Sequence, residues 1–514
     1  MTKFEALINL IHSMSQAEKK AFTSKVCKKK VTTEYVLLYN AIEEGAGQTP
    51  SEIRSSYSIR GKSANFETTV KYLMSLLLDI LLDLRKEQDS FYSLFNKILK
   101  ARVLFEKSLF EESFELLHNV KRQATKFENY YALLLAGRIE LEYLLILNFP
   151  DTDEKTLLKK QFDVNESLKY LRKINEQSSL YEILKHRIAT KGYARSQKEK
   201  DELNDLVYSE LSIVASFGPE NFEISKLHQL FQSNYLISVG DYESALRSYA
   251  ELNNLFEQNK HLWSSPPVYY VQSLEGVLES LRSIRNYESM PHFINQLKKI
   301  ESNSIDFDLH VQCIVYLYEL FPLLDKGNYL AAAQHMEDNR TNIYNNFQSL
   351  SLARQAEISL YTALIHFGNK QYSKAYKFLS QIIIRGKNYY YLPLYRTIRL
   401  VNLMILYKLG DFELIHYEIR SIKRDLSGSV KGYKIEKIFL KFLLRELPSS
   451  YRKRELLWEK YNADFSALQH DVYEQQVLHI FDFTAWVEAI IKKVSLSEII
   501  AGRNSQAQVS SAQV

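Results

Sequence analysis

The chain has 514 residues, 46% hydrophobic and 25% charged, an ordinary globular composition that excludes wholesale disorder. Its net charge of +5 is local: residues 1–33 hold seven lysines against two glutamates, so the rest of the chain balances to zero. Glycine (15) and proline (9) are each about half their usual share, and strand-rich folds need both at tight turns, so the deficit predicts an all-α protein.

Two cysteines, Cys27 and Cys313, lie too far apart in sequence to argue a disulfide framework or a cysteine zinc site, which fits a reducing compartment. The amphipathic N-terminus has neither the apolar run nor the cleavage site of a secretory signal. The greasiest stretch, residues 72–84, contains Asp79 and Asp83 and falls short of the roughly 20 apolar residues of a membrane span. These features predict a cytoplasmic protein with no membrane partner.

In chain order, Ser15-Gln16-Ala17-Glu18 is a capping box that opens a basic helix. A second helix, about 33–44, stops at Gly45-Ala46-Gly47, and Thr49-Pro50 opens a third with proline in its first turn. A long helix follows over about 65–86. Residues 1–88 thus form an N-terminal helical cap with the outline of a helix-turn-helix. Lys19, Lys20, Lys25, Lys28, Lys29 and Lys30 form a basic patch that could meet phosphates, with Arg54, Arg60, Lys62 and Lys71 nearby. The long helix is greasy over more than one face (Val70, Leu73, Leu76, Leu77, Ile80, Leu81, Leu84), which favours a cap closing the first repeat over a helix that reads bases.

Beyond the cap a short pattern recurs: a polar pair, an aromatic, two residues, then a small or apolar residue. It reads Gly240-Asp241-Tyr242-Glu243-Ser244-Ala245 and returns at Tyr287, Tyr329, Tyr372 and Phe412, in steps of 40 to 45 residues, with a weaker copy at Phe110. This is the chemistry of a helix hairpin. Gly or Asn past a helix end accepts the left-handed conformation, Asp or Asn caps the next helix, and the small residue allows close approach. Stripes at Leu94, Ile98, Ala101 and Phe105, and at Ile398, Val401, Ile405 and Leu409, have helical period.

The pattern resembles the tetratricopeptide repeat (TPR), whose inter-helix turn reads Gly-Asp/Asn-Tyr-x-x-Ala. Residues 240–245 match it fully and 327–332 nearly so, although the usual period is about 34 residues. The longer steps imply longer helices or loops. The resemblance covers about 90–425 and implies an α-solenoid of TPR-like antiparallel helix hairpins over residues 89–425. Helices at 451–469 and 471–493 would form a C-terminal capping bundle within 426–501, and the polar, aperiodic 502–514 reads as a disordered tail. Leu10-Ile11-His12-Ser13-Met14-Ser15-Gln16-Ala17-Glu18-Lys19 and Phe481-Asp482-Phe483-Thr484-Ala485-Trp486-Val487-Glu488 are similar to the two ends of an uncharacterised bacterial family of TPR-like proteins. That similarity implies no activity.

Motifs of chemistry are missing. Arg60-Gly61-Lys62-Ser63 ends like a phosphate-binding loop, but Ser56 stands where the first glycine belongs and no strand precedes it. The twelve histidines show no pairing at helical metal-site spacing, and no Gly-x-Ser-x-Gly elbow occurs. Cys27, among lysines, reads as a half-buried residue of a basic helix rather than a reactive thiol. No enzyme activity and no cofactor or metal is expected.

Aromatic clusters carry the remaining functional signal. Tyr130-Tyr131, Tyr269-Tyr270 and Tyr389-Tyr390-Tyr391 each open the first helix of a hairpin, and neighbours about 100° apart on a helix cannot all enter the core. First helices line the concave face of a TPR-like solenoid, so Tyr269, Tyr270, Tyr389, Tyr390 and Tyr391 are candidate anchors for a protein or peptide partner. The expected function is a non-enzymatic cytoplasmic scaffold. The alternative is a transcriptional or signalling regulator, with residues 1–88 on DNA and the repeats as a sensor.

Overall fold

A computed structural model describes residues 2–26, 33–45, 47–60, 66–215, 221–302, 304–389, 392, 394–426, 432–469 and 471–511. The architecture is all-helical, with no strand among the described residues. The chain divides into two compact units. The first comprises Met1–Asn175, Asn259–Pro267 and Glu301–Asp308; the second comprises Glu176–Gln258, Val268–Ile300 and Leu309–Val514.

The first unit opens with α1 (Lys3–Ser13), α2 (Gln16–Val26), α3 (Glu34–Glu44), α4 (Pro50–Arg60) and α5 (Phe66–Gln88). The expected capping box holds: Ser15 N–H donates to Glu18 at 2.8 Å, and Glu18 N–H donates to the Ser15 hydroxyl at 3.3 Å. Thr49 and Glu52 repeat the device at the start of α4. The five helices share one core. Leu7, Ile11, Leu38, Ile42, Ile53, Leu73 and Leu77 are buried in it, and Phe22 lies 4.3 Å from Tyr39, centroid to centroid. The greasy α5 is thereby explained. Val70, Leu73, Leu77 and Ile80 face this core, and α5 also packs on α6 (Ser90–Glu106).

α6, α7 (Phe110–Lys126), α8 (Tyr130–Ile146) and the first part of α9 (Glu154–Lys191) complete this unit. Leu94, Ile98 and Ala101 are buried against Leu117, Val120 and Ala132, so the predicted stripe faces inward. Phe105, its last member, stacks on Tyr143 at 3.6 Å.

The second unit continues with α10 (Gln197–Asp201), α11 (Asn204–Ala215), α12 (Phe222–Ser238), α13 (Tyr242–Gln258), α14 (Val268–Ser283) and α15 (Met290–Lys298). Then come α16 (Ile305–Asp325), which begins in the first unit, α17 (Tyr329–Asp338), α18 (Leu352–Gly368), α19 (Tyr372–Ile384), α20 (Gly386–Tyr389), α21 (Leu394–Leu409) and α22 (Phe412–Leu426). The recurring turn does what its residues predict. Phe110, Tyr242, Tyr329, Tyr372 and Phe412 each begin a helix. The residue two before takes positive φ in every copy, whether glycine (Gly240, φ 80°; Gly327, φ 73°; Gly410, φ 79°) or not (Ser108, φ 61°; Lys370, φ 61°). Asp241, Asn328 and Asp411 cap the following helix through their side chains. Ala245, Ala332 and Ala375 are fully buried, as close helix approach requires. Tyr287 departs from the rule. Its copy has the left-handed residue (Arg285, φ 58°), but α15 starts only at Met290, because Pro291 fits a first helical turn and not a later one.

Among the described residues one helix, α16, is long and apolar enough to cross a membrane by length and composition. The sequence expectation had placed the greasiest run at 72–84. Most of α16's apolar window is buried inside the structure, as in a core helix.

The C-terminal helices α23 (Lys434–Leu443), α24 (Tyr451–Gln469), α25 (Val472–Leu478), α26 (Phe483–Lys492) and α27 (Leu496–Ser511) do more than close the end of the array. Trp486 is buried among Phe439, Phe442 and Tyr407, which joins α26 to α23 and α21. Beyond that, the segment visits earlier repeat turns in order. Val472 and Gln476 lie against Gly240, His479 bonds Ser283 beside the Arg285 turn at 2.8 Å, and Ser497 donates to the Gly327 carbonyl at 2.7 Å. Residues 502–514, expected as a disordered tail, begin inside α27. Arg503 pairs with Asp482 and Glu488, and Asn504 donates to the Asp325 carbonyl at 2.9 Å. Low hydrophobicity hid this anchoring, because it is made by polar side chains.

Candidate binding face of the second unit

Three first helices of successive hairpins bring polar residues together at helical spacing. α14 presents Glu275, Glu279 and Arg282; α16 presents Tyr318, Phe321 and Asp325; α18 presents Arg354, Glu357 and Tyr361. Arg354 ties two of these helices, bonding Glu275 on α14 and Glu357 on its own helix at 2.6 Å. Tyr318 donates to Glu279 at 3.0 Å. Arg282 is 3% exposed, donates to the Tyr361 hydroxyl at 3.0 Å, and lies 3.7 Å above the Phe321 ring. Gln272 donates to the Tyr181 hydroxyl at 2.9 Å, and Lys185 donates to Asn234 at 3.1 Å.

The electrostatics follow from enclosure. Burial opposes charge on Arg282 and Arg354, but Asp325 on the first, and Glu275 and Glu357 on the second, hold both protonated far above neutrality. Burial raises the Glu279 carboxyl above its ordinary range, and Arg282 only partly offsets it. Burial, then the Glu279 charge, raises the phenols of Tyr193, Tyr242 and Tyr318. Burial and Arg354 lower His310, which is therefore neutral at pH 7.

Beside this face lies a small cavity of about 70 Å³, partly open to solvent, lined by Arg282, Tyr287, Asp325, His479, Asp482 and Arg503. It gathers a histidine and two carboxylates, yet each is engaged. Asp325 accepts from Arg282 and Tyr287. Asp482 caps α26 and accepts from Arg503. His479 bonds Ser283 and stacks on Tyr242, and burial, aided by Arg282, pushes it down to about 3. This arrangement clasps α25–α27 onto the repeats. Among the described residues no three His, Cys, Asp or Glu gather as a metal-ion site would require.

The sequence-predicted residues separate. Tyr269 is 38% exposed and carries the Lys226 ammonium 4.5 Å above its ring. Tyr270 is buried and bonds Glu257, and Tyr389 is buried with its hydroxyl 3.3 Å from Gln355, so both pack inside the hairpins rather than face a partner. Tyr390 and Tyr391 lie outside the described residues, as do Cys27, Lys28, Lys29, Lys30, Gly61, Lys62 and Ser63. In the basic patch, Lys19 lies 3.6 Å from Glu43 and Lys25 bonds Asp83 at 2.6 Å, while Lys20 is exposed. Arg54 lies 4.6 Å above the Phe66 ring. Cys313 is buried, and burial raises its thiol to about 12.

Sequence reasoning missed Glu275, Glu279, Arg354 and Glu357. Their spacing on two helices was readable, but their meeting depends on which helix faces lie opposite, and no single helix encodes that. No protein-family model matches this chain, and a search of curated proteins finds no significant match.

Proposed function

We propose that this chain is a non-enzymatic cytoplasmic scaffold. In this reading residues 89–425 act as a TPR-like solenoid that holds a protein or peptide segment in a concave groove. The observation that carries it is the polar network shared by α14, α16 and α18, the first helices of successive hairpins, where a TPR-like array receives its ligand. Tyr193, Tyr242 and Glu279 remain partly exposed there, whereas side chains of a plain core would be sealed. The neighbouring histidine and aspartates support the non-enzymatic reading, since each is engaged in holding helices together.

The test is binding of a random-sequence peptide library to the whole protein, comparing wild type with Tyr193→Ala, Lys185→Glu and Tyr269→Ala. All three residues are at least partly exposed, so the helical CD signal should be retained. Loss of library binding in the first two supports the groove; retention in all three contradicts it.

The regulator reading keeps one supporting observation, the exposed Lys20 and Lys71 on α2 and α5. A gel-shift titration over a salt series tests it, since phosphate contacts demand a steep loss of affinity with salt.

A further inference from the structure

A second cavity lies on the far side of α18 from the polar network. At about 100° per residue, Ser359 and His366 share a face of that helix roughly opposite Arg354, Glu357 and Tyr361. Two other elements face them. On α19, Lys374, Phe378 and Gln381 recur at helical spacing and so share one face. Beyond α17, Arg340–Tyr344 forms a π-helical turn, a rare geometry that is frequent at functional sites. Together they line a half-open cavity of about 570 Å³, within the roughly 300–1,000 Å³ of small-molecule sites.

The walls are aromatic and held in place. The His366 ring stacks on Phe378, with 5.5 Å between centroids and 18° between planes, and its Nδ1 bonds the Gln371 side-chain oxygen at 2.9 Å. Burial, partly offset by that bond, and the nearby Lys374 charge keep His366 below its usual range. The ring is therefore neutral at pH 7 and serves as an aromatic face. The Tyr344 ring is fixed through its hydroxyl, which bonds Tyr316 at 2.9 Å and Thr362 at 2.7 Å. Phe347 and Phe378 are only half-buried, so apolar ring surface stays uncovered at the cavity.

Polar groups converge on the same space. Ser359 is 3% exposed and lines the cavity, which places a hydroxyl in its floor. Gln348 and Gln381 are exposed at its rim. Two cations stand there as well. Arg340 pairs with Glu337 at 2.9 Å, whereas the exposed Lys374 has no ion pair among the described residues.

We infer that this cavity binds a small planar aromatic anion, its ring against His366, Phe378 and Tyr344 and its negative group at Lys374. The rings select a ligand with a π face, and the unmatched ammonium selects its charge. The side-chain amides and the Ser359 hydroxyl offer hydrogen bonds to ring substituents. A carboxylate and a phosphate meet this chemistry equally. The inference goes beyond the scaffold reading and does not depend on it, because the cavity uses the other side of α18.

Isothermal titration calorimetry on the full chain tests it, with indoleacetate and adenosine monophosphate as the two sources of the anion. Indoleacetamide and adenosine lack the charge, and hexanoate lacks the ring. At least one aromatic anion should bind, about fivefold or more tightly than its uncharged analogue and than hexanoate. The tighter of the two assigns the negative group as carboxylate or phosphate. Lys374→Gln should weaken that binding about threefold or more, with a smaller loss at high salt, and Lys423→Gln, an exposed lysine of α22, should leave it unchanged. Phe378→Leu, which keeps an apolar side chain, should weaken it about fivefold, with the thermal midpoint reporting on the fold. Binding of neither anion overturns the inference. So does equal binding of the uncharged analogues, or an affinity unchanged in Lys374→Gln, a variant at an exposed position that leaves the fold intact.

Discussion

Arg282 on α14 and Asp325 on α16 meet through two hydrogen bonds, Nε to Oδ2 at 3.0 Å and Nη2 to Oδ1 at 3.2 Å. Arg282 also donates to the His479 carbonyl at 3.4 Å, so a single guanidinium joins two hairpins to the C-terminal helices. Breaking a buried pair on one side leaves an uncompensated charge. Asp325→Ala should therefore cost about 3–5 kcal/mol in chemical denaturation. Replacing both partners with apolar residues, Arg282→Met with Asp325→Leu, should cost much less. A single-variant loss below about 1 kcal/mol would contradict the role of Arg282 as a buried linchpin.

Tyr249 lies on α14 only because position 276 has no side chain. In an unobstructed helix, glycine to alanine gains roughly 1 kcal/mol. Here the new methyl would meet the ring at 2.3 Å, so Gly276→Ala should destabilise by about 1–3 kcal/mol. Thermal unfolding decides the sign, and a rise in midpoint would show that the ring is free to move away.

His479 gives the fold a pH dependence with a definite sign. Its folded pKa, about 3, is below the unfolded value near 6.5, so the neutral form is favoured in the folded state. Its contribution is complete above about pH 6.5 and is lost as pH falls from there toward 3, by at most about 1.4 kcal/mol per pH unit. His310 and His366 are also lowered and add in the same direction. His479→Gln should flatten the fall in stability between about pH 6.5 and pH 5, measured by denaturant titration at each pH. An unchanged slope would place the lost stability elsewhere.

The repeat turns were legible in the sequence because their signal is local. A helix-ending left-handed residue, a capping Asp or Asn, an aromatic and a small residue fall within six positions; at Gly240 and Gly327 the structure realises them all, and at Gly410 all but the small residue, which is Ile415. The capping box at Ser15 and the start of α4 at Pro50 were readable for the same reason. The candidate face of α14, α16 and α18 was not. Tyr270 and Tyr389 looked like anchors by type and spacing, but which member of an adjacent pair enters the core depends on the rotation of the helix against its neighbours. The C-terminal strap was hidden more deeply, because its contacts to Gly240, Ser283 and Gly327 join residues about 170 or more positions apart.

That strap can be tested at its first contact. Gly240 has φ 80°, and a Cβ there would lie 2.7 Å from the Val472 side chain of α25. Gly240→Ala should lose about 1–2 kcal/mol from the left-handed backbone alone and should also lift α25. Hydrogen exchange should speed up in Val472–Leu478 while the α18–α19 hairpin keeps its protection. Unchanged exchange in α25 would mean that the strap does not depend on this turn.

The most direct test of the scaffold account is site-specific photo-crosslinking in the native cell, with a photoreactive phenylalanine analogue at Tyr193 or at Leu330. Tyr193 is partly exposed, just past the end of α9, whereas Leu330 is 78% exposed in the first turn of α17, a second helix. The account predicts one or more discrete adducts from position 193, abolished by an excess of a peptide selected from the library, and none from position 330. Equal adducts from both positions, or adducts from 330 alone, would contradict it.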